Sequence, residues 1–418
     1  MTTAAENARK HPRIQAVSED ARVTPIELFF DLVFVFSLTQ VTALMSHNLT
    51  WQGVVRGMLV LCLLWWCWVG FAWIGNVLRA DEGIGRVAMF GSMAAMFLLA
   101  LCVPEAFVDL PGGLFGPVVL AITYLALRLF HLGIFWLAGE HDPGLRRQLV
   151  RFFPSLLVST ALLLVASQLE GTAQTLVWVA VLVADYVGTA LGGASGWRLN
   201  SASHFAERHG LIVMIALGES IVATGSGVAA LPISWPIIVA ATVGLALAAC
   251  LWWAYFDVLA IAGERVLRDA EGEVRTRLAR DAYSYLHLPM IAGVVLAALG
   301  VEHVLEVVGD ASLHDLSDPL PTVPLVAMFG GSALYLLGQV AFKYRNWHTL
   351  SKPRLVATAG ALVLIPATAE LPALAALGVL TATMVALITF ESLTYSDLRE
   401  QVRHVGDLEA GELHAEAS

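Results

Sequence analysis

The sequence predicts an all-α, polytopic transmembrane helical bundle of about 12 spans, and three observations carry that prediction. Hydrophobic residues make up 58% of the 418 residues and charged residues 14%, against roughly 45–50% and about 25% in soluble globular chains. The chain therefore has too little polar surface to coat a soluble fold. Apolar stretches of about 20 residues, enough to cross a bilayer as a helix, recur twelve times. Outside those stretches, arginine and lysine fall only in alternate connections, the pattern left when basic loops stay cytoplasmic.

Residues 1–23 form a tail with Arg9, Lys10, Arg13 and Arg22. The first span, 24–46, opens at Pro25, a residue suited to a first helical turn. It contains Glu27 and Asp31, unlike the uncharged core of a cleavable signal peptide, and is expected to stay in the mature protein. Span two, 51–76, is followed by Arg79 and Arg86. Spans three and four, 86–107 and 113–137, precede Arg146, Arg147 and Arg151. Spans five and six, 149–168 and 174–194, precede Arg198 and Arg208. Spans seven and eight, 209–229 and 234–257, precede Arg265, Arg268, Arg275, Arg277 and Arg280. Spans nine and ten, 284–305 and 322–342, precede Lys343, Arg345, Lys352 and Arg354. The last two, 353–369 and 371–392, meet at Glu370 and Pro372, as a hairpin of short spans or one broken element. Arg399 and Arg403 lie in the tail, 394–418. The intervening loops carry no Lys or Arg; Arg86, Arg151 and Arg354 stand at the cytoplasmic entries of their spans, and only Arg56 and Arg128 lie further inside spans. Both termini are expected in the cytoplasm.

Twelve spans divide into a first half, 24–200, and a second, 201–393. Leu64-Trp65-Trp66-Cys67-Trp68 in span two is echoed by Leu251-Trp252-Trp253-Ala254-Tyr255 in span eight, and Tyr124 and Tyr335 take similar places in spans four and ten. This points to a six-plus-six parallel repeat; the alternative is that two tryptophan-rich helices arose from interfacial or packing needs.

The same arithmetic excludes several classes. A net charge of −10 with few ionisable residues leaves no basic patch for nucleic acid. Cys62, Cys67, Cys102 and Cys250 sit in apolar runs without a Cys-x-x-Cys pair, so they read as core side chains. There is no P-loop, and Lys occurs only at 10, 343 and 352. Neither His-Glu-x-x-His nor an EF-hand spacing is present, although Glu306, Asp310, Asp315 and Asp318 gather in one loop. No cofactor or metal is indicated.

Chemistry is expected where polar groups stand in apolar spans. Glu27 and Asp31 share one helical stripe, so one is protonated, a cation lies between them, or an arginine bridges them. Glu27 also suits the positive end of the helix dipole, whereas Asp31 lies roughly 10 Å into the span. Glu219 stands near the middle of span seven and Asp185 near the middle of span six. Arg128 needs an acidic partner, and Asp31, Asp185 and Glu219 are available. His131 is one turn from Arg128, and His287 precedes Pro289 at a kinked opening of span nine. Each acid also has a bland reading as a protonated group hydrogen-bonded between helices.

Three of these segments resemble the bacterial low temperature requirement protein A family: Glu27 through Phe36 with Thr39-Gln40, Glu207-Arg208-His209-Gly210 through Gly218-Glu219-Ser220-Ile221, and His287-Leu288-Pro289-Met290 with Gly293. The likeness runs from about Thr24 to Ser392. It implies a multi-pass protein of the bacterial cytoplasmic (inner) membrane and marks Glu27, Asp31, Gln40, Glu207, His209, Glu219 and His287 as motif residues.

The acidic excess inside the spans predicts a secondary transporter or ion-conducting protein that binds a proton or cation, with or without a small-molecule substrate, and has the lipid bilayer as its partner. The candidate path residues are Glu27, Asp31, Gln40, Arg128, Asp185, His209, Glu219 and His287. An integral membrane enzyme acting on a lipid or isoprenoid would instead bring His209 or His287 together with Glu219 in a closed pocket. A structural or sensory protein would use these groups only to lock helices.

Overall fold

In the computed structural model, residues 19, 21–77, 83–139, 142–192, 197–229, 231–397 and 399–402 are described, and their regular structure is helical apart from an isolated Pro319–Pro372 bridge. In chain order the helices are α1 Pro25–His47, α2 Trp51–Val77, α3 Gly83–Leu101, α4 Gly116–Ala138, α5 Pro143–Ala166, α6 Gly171–Gly192 and α7 Ala202–Ser226. There follow α8 Trp235–Phe256, α9 Leu259–Asp269, α10 Gly272–Leu278, a π-helical turn Ala279–Tyr285, α11 His287–Gly309, α12 Thr322–Trp347, α13 Lys352–Thr368 and α14 Ala373–Thr394.

Among the described residues, nine helical segments are long and apolar enough to cross a membrane. Three sequence spans fall outside that number. Span three ends at Leu101 and gives way to a short 3-10 turn, Val103–Glu105. Helix α7 has 25 residues, and His204, Glu207, Arg208, His209 and Glu219 lower its hydropathy. Helix α13 is only 17 residues long and turns at 369–372 into α14, so the last apolar pair is a hairpin.

Local sequence explains the ends. Asp142 caps α5 by accepting from the backbone N–H groups of Gly144 (3.0 Å) and Leu145 (3.2 Å), with Pro143 in the first turn. His348, at φ 53°, closes α12 in the left-handed conformation.

The chain divides into two compact units. The first contains residues up to Ser37 and Leu63–Phe205; α3 packs on α4, α4 on α5 and α5 on α6. Trp65, Trp66 and Trp68 of α2 are buried there. The second contains Leu38–Cys62 and everything from Ala206 onward, so it takes the latter part of α1 and the start of α2. Its Trp252 and Trp253 are 43% exposed, an environment unlike that of their counterparts in α2.

Helix α11 is the axis of the second unit. Almost every residue from Met290 to Val308 is buried, and α8, α12 and α14 pack on it. Its seam with α12 depends on glycines seven residues apart on each helix: Gly293 faces Gly331, Gly300 faces Pro324 and Met328, and Gly338 faces Met290. A Cβ at Gly331 would lie 2.5 Å from Ala297 N and 2.6 Å from Gly293 O, and one at Gly300 would lie 2.6 Å from Pro324 O. Backbone meets backbone, the close approach that small residues permit between membrane helices. At one end of this unit Arg354 grips Glu391 through two bonds of 2.9 Å and Gln339 through a third of 2.5 Å, tying α12, α13 and α14 together.

Gly331→Leu is expected to abolish a monodisperse folded protein, because the obstructing atoms are backbone. Gly330→Leu, whose nearest obstacle is a Val326 methyl at 3.9 Å, should leave the thermal unfolding midpoint within a few degrees of the natural chain. Size-exclusion chromatography and thermal unfolding in detergent distinguish the two.

Candidate functional site

The first unit contains two polar centres. Tyr124, Arg128 and His131 lie on one face of α4, at helical spacings of four and three. Asp185, on the buried face of α6, accepts from the Tyr124 hydroxyl and from the Ser159 hydroxyl at 3.0 Å, and its Oδ1 stands 4.0 Å from an Arg128 nitrogen. Asp185 is 0% and Arg128 3% exposed. Of the three acids the sequence offered to Arg128, the structure therefore selects Asp185. His131 does not join the network: it packs against Phe71 and Phe135, and neither ring nitrogen has a hydrogen-bond partner among the described residues.

The second centre surrounds the start of α1. Glu27 accepts from the backbone N–H and hydroxyl of Thr24, at 2.9 and 2.8 Å, and its Oε2 lies 3.0 Å from His204 Nε2. Asn76 supports the same corner by donating to Ser201 O at 2.5 Å and accepting from Asn200 N at 2.7 Å. Asp31, four residues on, receives the Trp68 indole N–H at 2.8 Å. The two carboxylates that the sequence placed on one stripe thus have separate donors from different helices.

In the second unit, polar side chains lie in two layers along α7 and α11. One layer is aromatic and imidazole. The His209 and His287 ring centres are 5.2 Å apart, with Tyr283 stacked on His287. In the π-helical turn Leu286 N bonds to Asp281 O, five residues back, which releases the carbonyl of Ala282. His287 Nδ1 lies 3.1 Å from that carbonyl and Nε2 lies 2.8 Å from the Tyr255 hydroxyl. A carbonyl can only accept, so Nδ1 carries the proton and Tyr255 donates to Nε2.

The other layer contains carboxylates. Glu219 is hydrogen-bonded by Thr39, and Glu302 accepts from the Ser46 hydroxyl at 3.5 Å. Glu306 stands one turn beyond Glu302 on α11. Glu219 Oε1 and Glu302 Oε2 are buried without a hydrogen-bond partner among the described residues. Gln40 is half-buried beside Thr39, and Glu207 is exposed. A cavity of about 270 Å³ lies between α7, α8 and α11, lined mainly by apolar residues with Ser220 and Thr224 at its polar edge.

Sequence reasoning passed over Glu302, His204, Tyr255 and the hydroxyls of Thr39 and Ser46. Glu302 was visible as an acid inside span nine. His204 precedes the span drawn for α7, and a hydroxyl in an apolar helix bonds its own backbone far more often than it marks a site. Two acids of the 306–321 connection serve their own loop: Asp310 accepts from Ser312 Oγ and N, at 2.5 and 3.0 Å, which holds its carboxyl below the usual range, and Asp318 accepts from Asp315 N at 2.9 Å.

Breaking the buried pair in the first unit leaves one charge uncompensated. Arg128→Met and Asp185→Leu are each expected to cost about 3–5 kcal/mol, with the double substitution closer to the natural chain than either single one. Thermal and denaturant unfolding of the four proteins measures that coupling.

A protein of Rhizobium meliloti (strain 1021), uncharacterized protein RA0937, is 26% identical over 330 residues, covering 76% of each chain. No solved structure matches. The model of the bacterial low temperature requirement A protein family matches residues 22–389, so the chain belongs to that family.

Proposed function

We propose that the protein is a secondary transporter or ion-conducting protein of the cytoplasmic membrane that binds a proton or cation at buried carboxylates. The observation that carries this reading is the contrast between its buried acids. Asp185 is neutralised by Arg128, and Glu27 has His204 and Thr24. Glu219 and Glu302 are hydrogen-bonded by the hydroxyls of Thr39 and Ser46, and neither has an ion-pair partner among the described residues. An ionised carboxylate in hydrocarbon costs several kcal/mol unless a counter-charge or cavity accompanies it, and such a group is a site for an exchangeable positive charge.

The proposed arrangement has twelve spans with both termini cytoplasmic, which the alternation of basic loops supports. Tyr124 and Tyr335, both fully buried and both bonded to another helix, support a six-plus-six organisation. The enzymatic alternative required Glu219 beside His209 or His287. Ten residues of helix, about 15 Å of rise, separate Glu219 from His209 along α7, which supports the transport reading over that alternative.

In proteoliposomes under imposed pH and potassium gradients, the natural chain is expected to carry flux, and Glu219→Gln to reduce it at least tenfold. Asp31→Asn, which removes a charge from the other unit, tests whether that carboxylate also lies on the path. Absence of flux under every gradient would overturn the transport reading.

A further inference from the structure

We propose that the cavity between α7, α8 and α11 is a site for one fatty-acyl chain of a bilayer phospholipid, which enters between α7 and α8 and leaves its headgroup outside. The walls belong to one unit. They run from Ser220 to Val228 at the end of α7, from Ala241 to Leu251 on α8 and from Val294 to Leu305 on α11. The α8 and α11 stretches each rise about 15–17 Å, so the volume of about 270 Å³ is drawn out along the helices. A long, narrow space of this kind fits a chain better than a ring system.

The position of the opening follows from burial. Ile221 on α7 and Leu245 on α8 line the cavity and are 48% and 54% exposed, whereas Val294, Ala297, Ala298, Val301 and Leu305 on the α11 wall are at most 5% exposed. At Gly244, α8 closes on α11, since a Cβ there would lie 2.8 Å from a Val301 methyl. The mouth therefore lies between α7 and α8. Its rim continues into exposed Val222 on α7 and Ile238 and Val239 on α8, a helix long and apolar enough to cross a membrane. Hydrocarbon, and not water, borders such a rim.

The lining selects the occupant by what it does not offer. None of the described lining residues is Asp, Glu, His, Lys or Arg, and the hydroxyls of Ser220 and Thr224 donate to Leu217 O at 2.6 Å and Ser220 O at 2.7 Å. Water holds its place in a cavity through about two to four polar partners, and apolar cavities stay dry. A free fatty acid would bring in a carboxylate with no cation to meet it. A phospholipid keeps its charged group at the membrane surface and inserts only the chain. That chain passes from one hydrocarbon medium to another, so its gain is dispersion contact with a fixed wall. Small residues make the room: Gly225, Ala241, Ala248, Ala297 and Ala298.

The test is photo-crosslinking of the full chain in nanodiscs of palmitoyl-oleoyl phosphatidylglycerol containing a small share of a phosphatidylcholine with a diazirine midway along one acyl chain, with adducts mapped by peptide mass spectrometry. Val222 and Val239, on the outer surface, report ordinary lipid contact. The natural chain should also carry adducts at Val294, Ala297 and Ala298, which are buried on the central helix and reached only through the cavity. Ala298→Phe and Ala248→Phe fill the space from opposite walls, and each should lower α11 labelling by about fivefold or more relative to Val222. Unfolding midpoints check both variants, and where neither folds the map of the natural chain decides alone. Labelled Val222 and Val239 with an unlabelled α11 would overturn the proposal, as would α11 adducts that persist in both folded variants. So would α11 adducts formed by a diazirine fatty acid but not by the phospholipid. Flux does not enter this readout, so the acyl site and the transport reading fail separately.

Discussion

Hydrocarbon does not solvate a polar atom, so every polar side chain placed inside a membrane helix must find its partner within the protein or remain uncharged. That constraint organises both units. Asp185 collects Tyr124, Ser159 and Arg128 from two other helices, and Glu27 collects Thr24 and His204. Each such set fixes the rotation and depth of the helices that contribute to it, because a slip of one residue would turn a donor to another face.

Where polar partners are missing, packing takes over. Association of apolar helices in lipid gains little from the hydrophobic effect, so close contact must come from shape. The α11–α12 seam meets this with glycines at seven-residue spacing, bringing the backbones together around Gly293 and Gly331. The result is an almost fully buried α11, and that burial makes the carboxyl of Glu302 chemically unusual. A charge on an exposed helix would be unremarkable; on the central helix of a unit it needs a proton, an ion or a partner.

The π-helical turn before α11 shows how backbone irregularity is used. By shifting one hydrogen bond to a five-residue span, it frees the Ala282 carbonyl to set the tautomer of His287, whose second nitrogen then accepts from Tyr255. The imidazole layer and the carboxylate layer stand on the same two helices, α7 and α11, separated by turns of apolar residues.

The membrane character, the helical architecture and the family were determined by sequence alone, because hydropathy over 20 residues and runs such as Glu27 through Phe36 are local properties. So was the presence of acids in apolar spans. What only the tertiary structure decided was the pairing. Arg128 had three acids to choose from at the level of sequence, and the choice of Asp185 depends on how α4, α5 and α6 face one another. The rings of His209 and His287, 78 residues apart in the chain, meet with their centres 5.2 Å apart, and no local pattern links them. Their meeting follows from the packing of helices distant in the chain, and a one-dimensional reading of hydropathy contains no term for it.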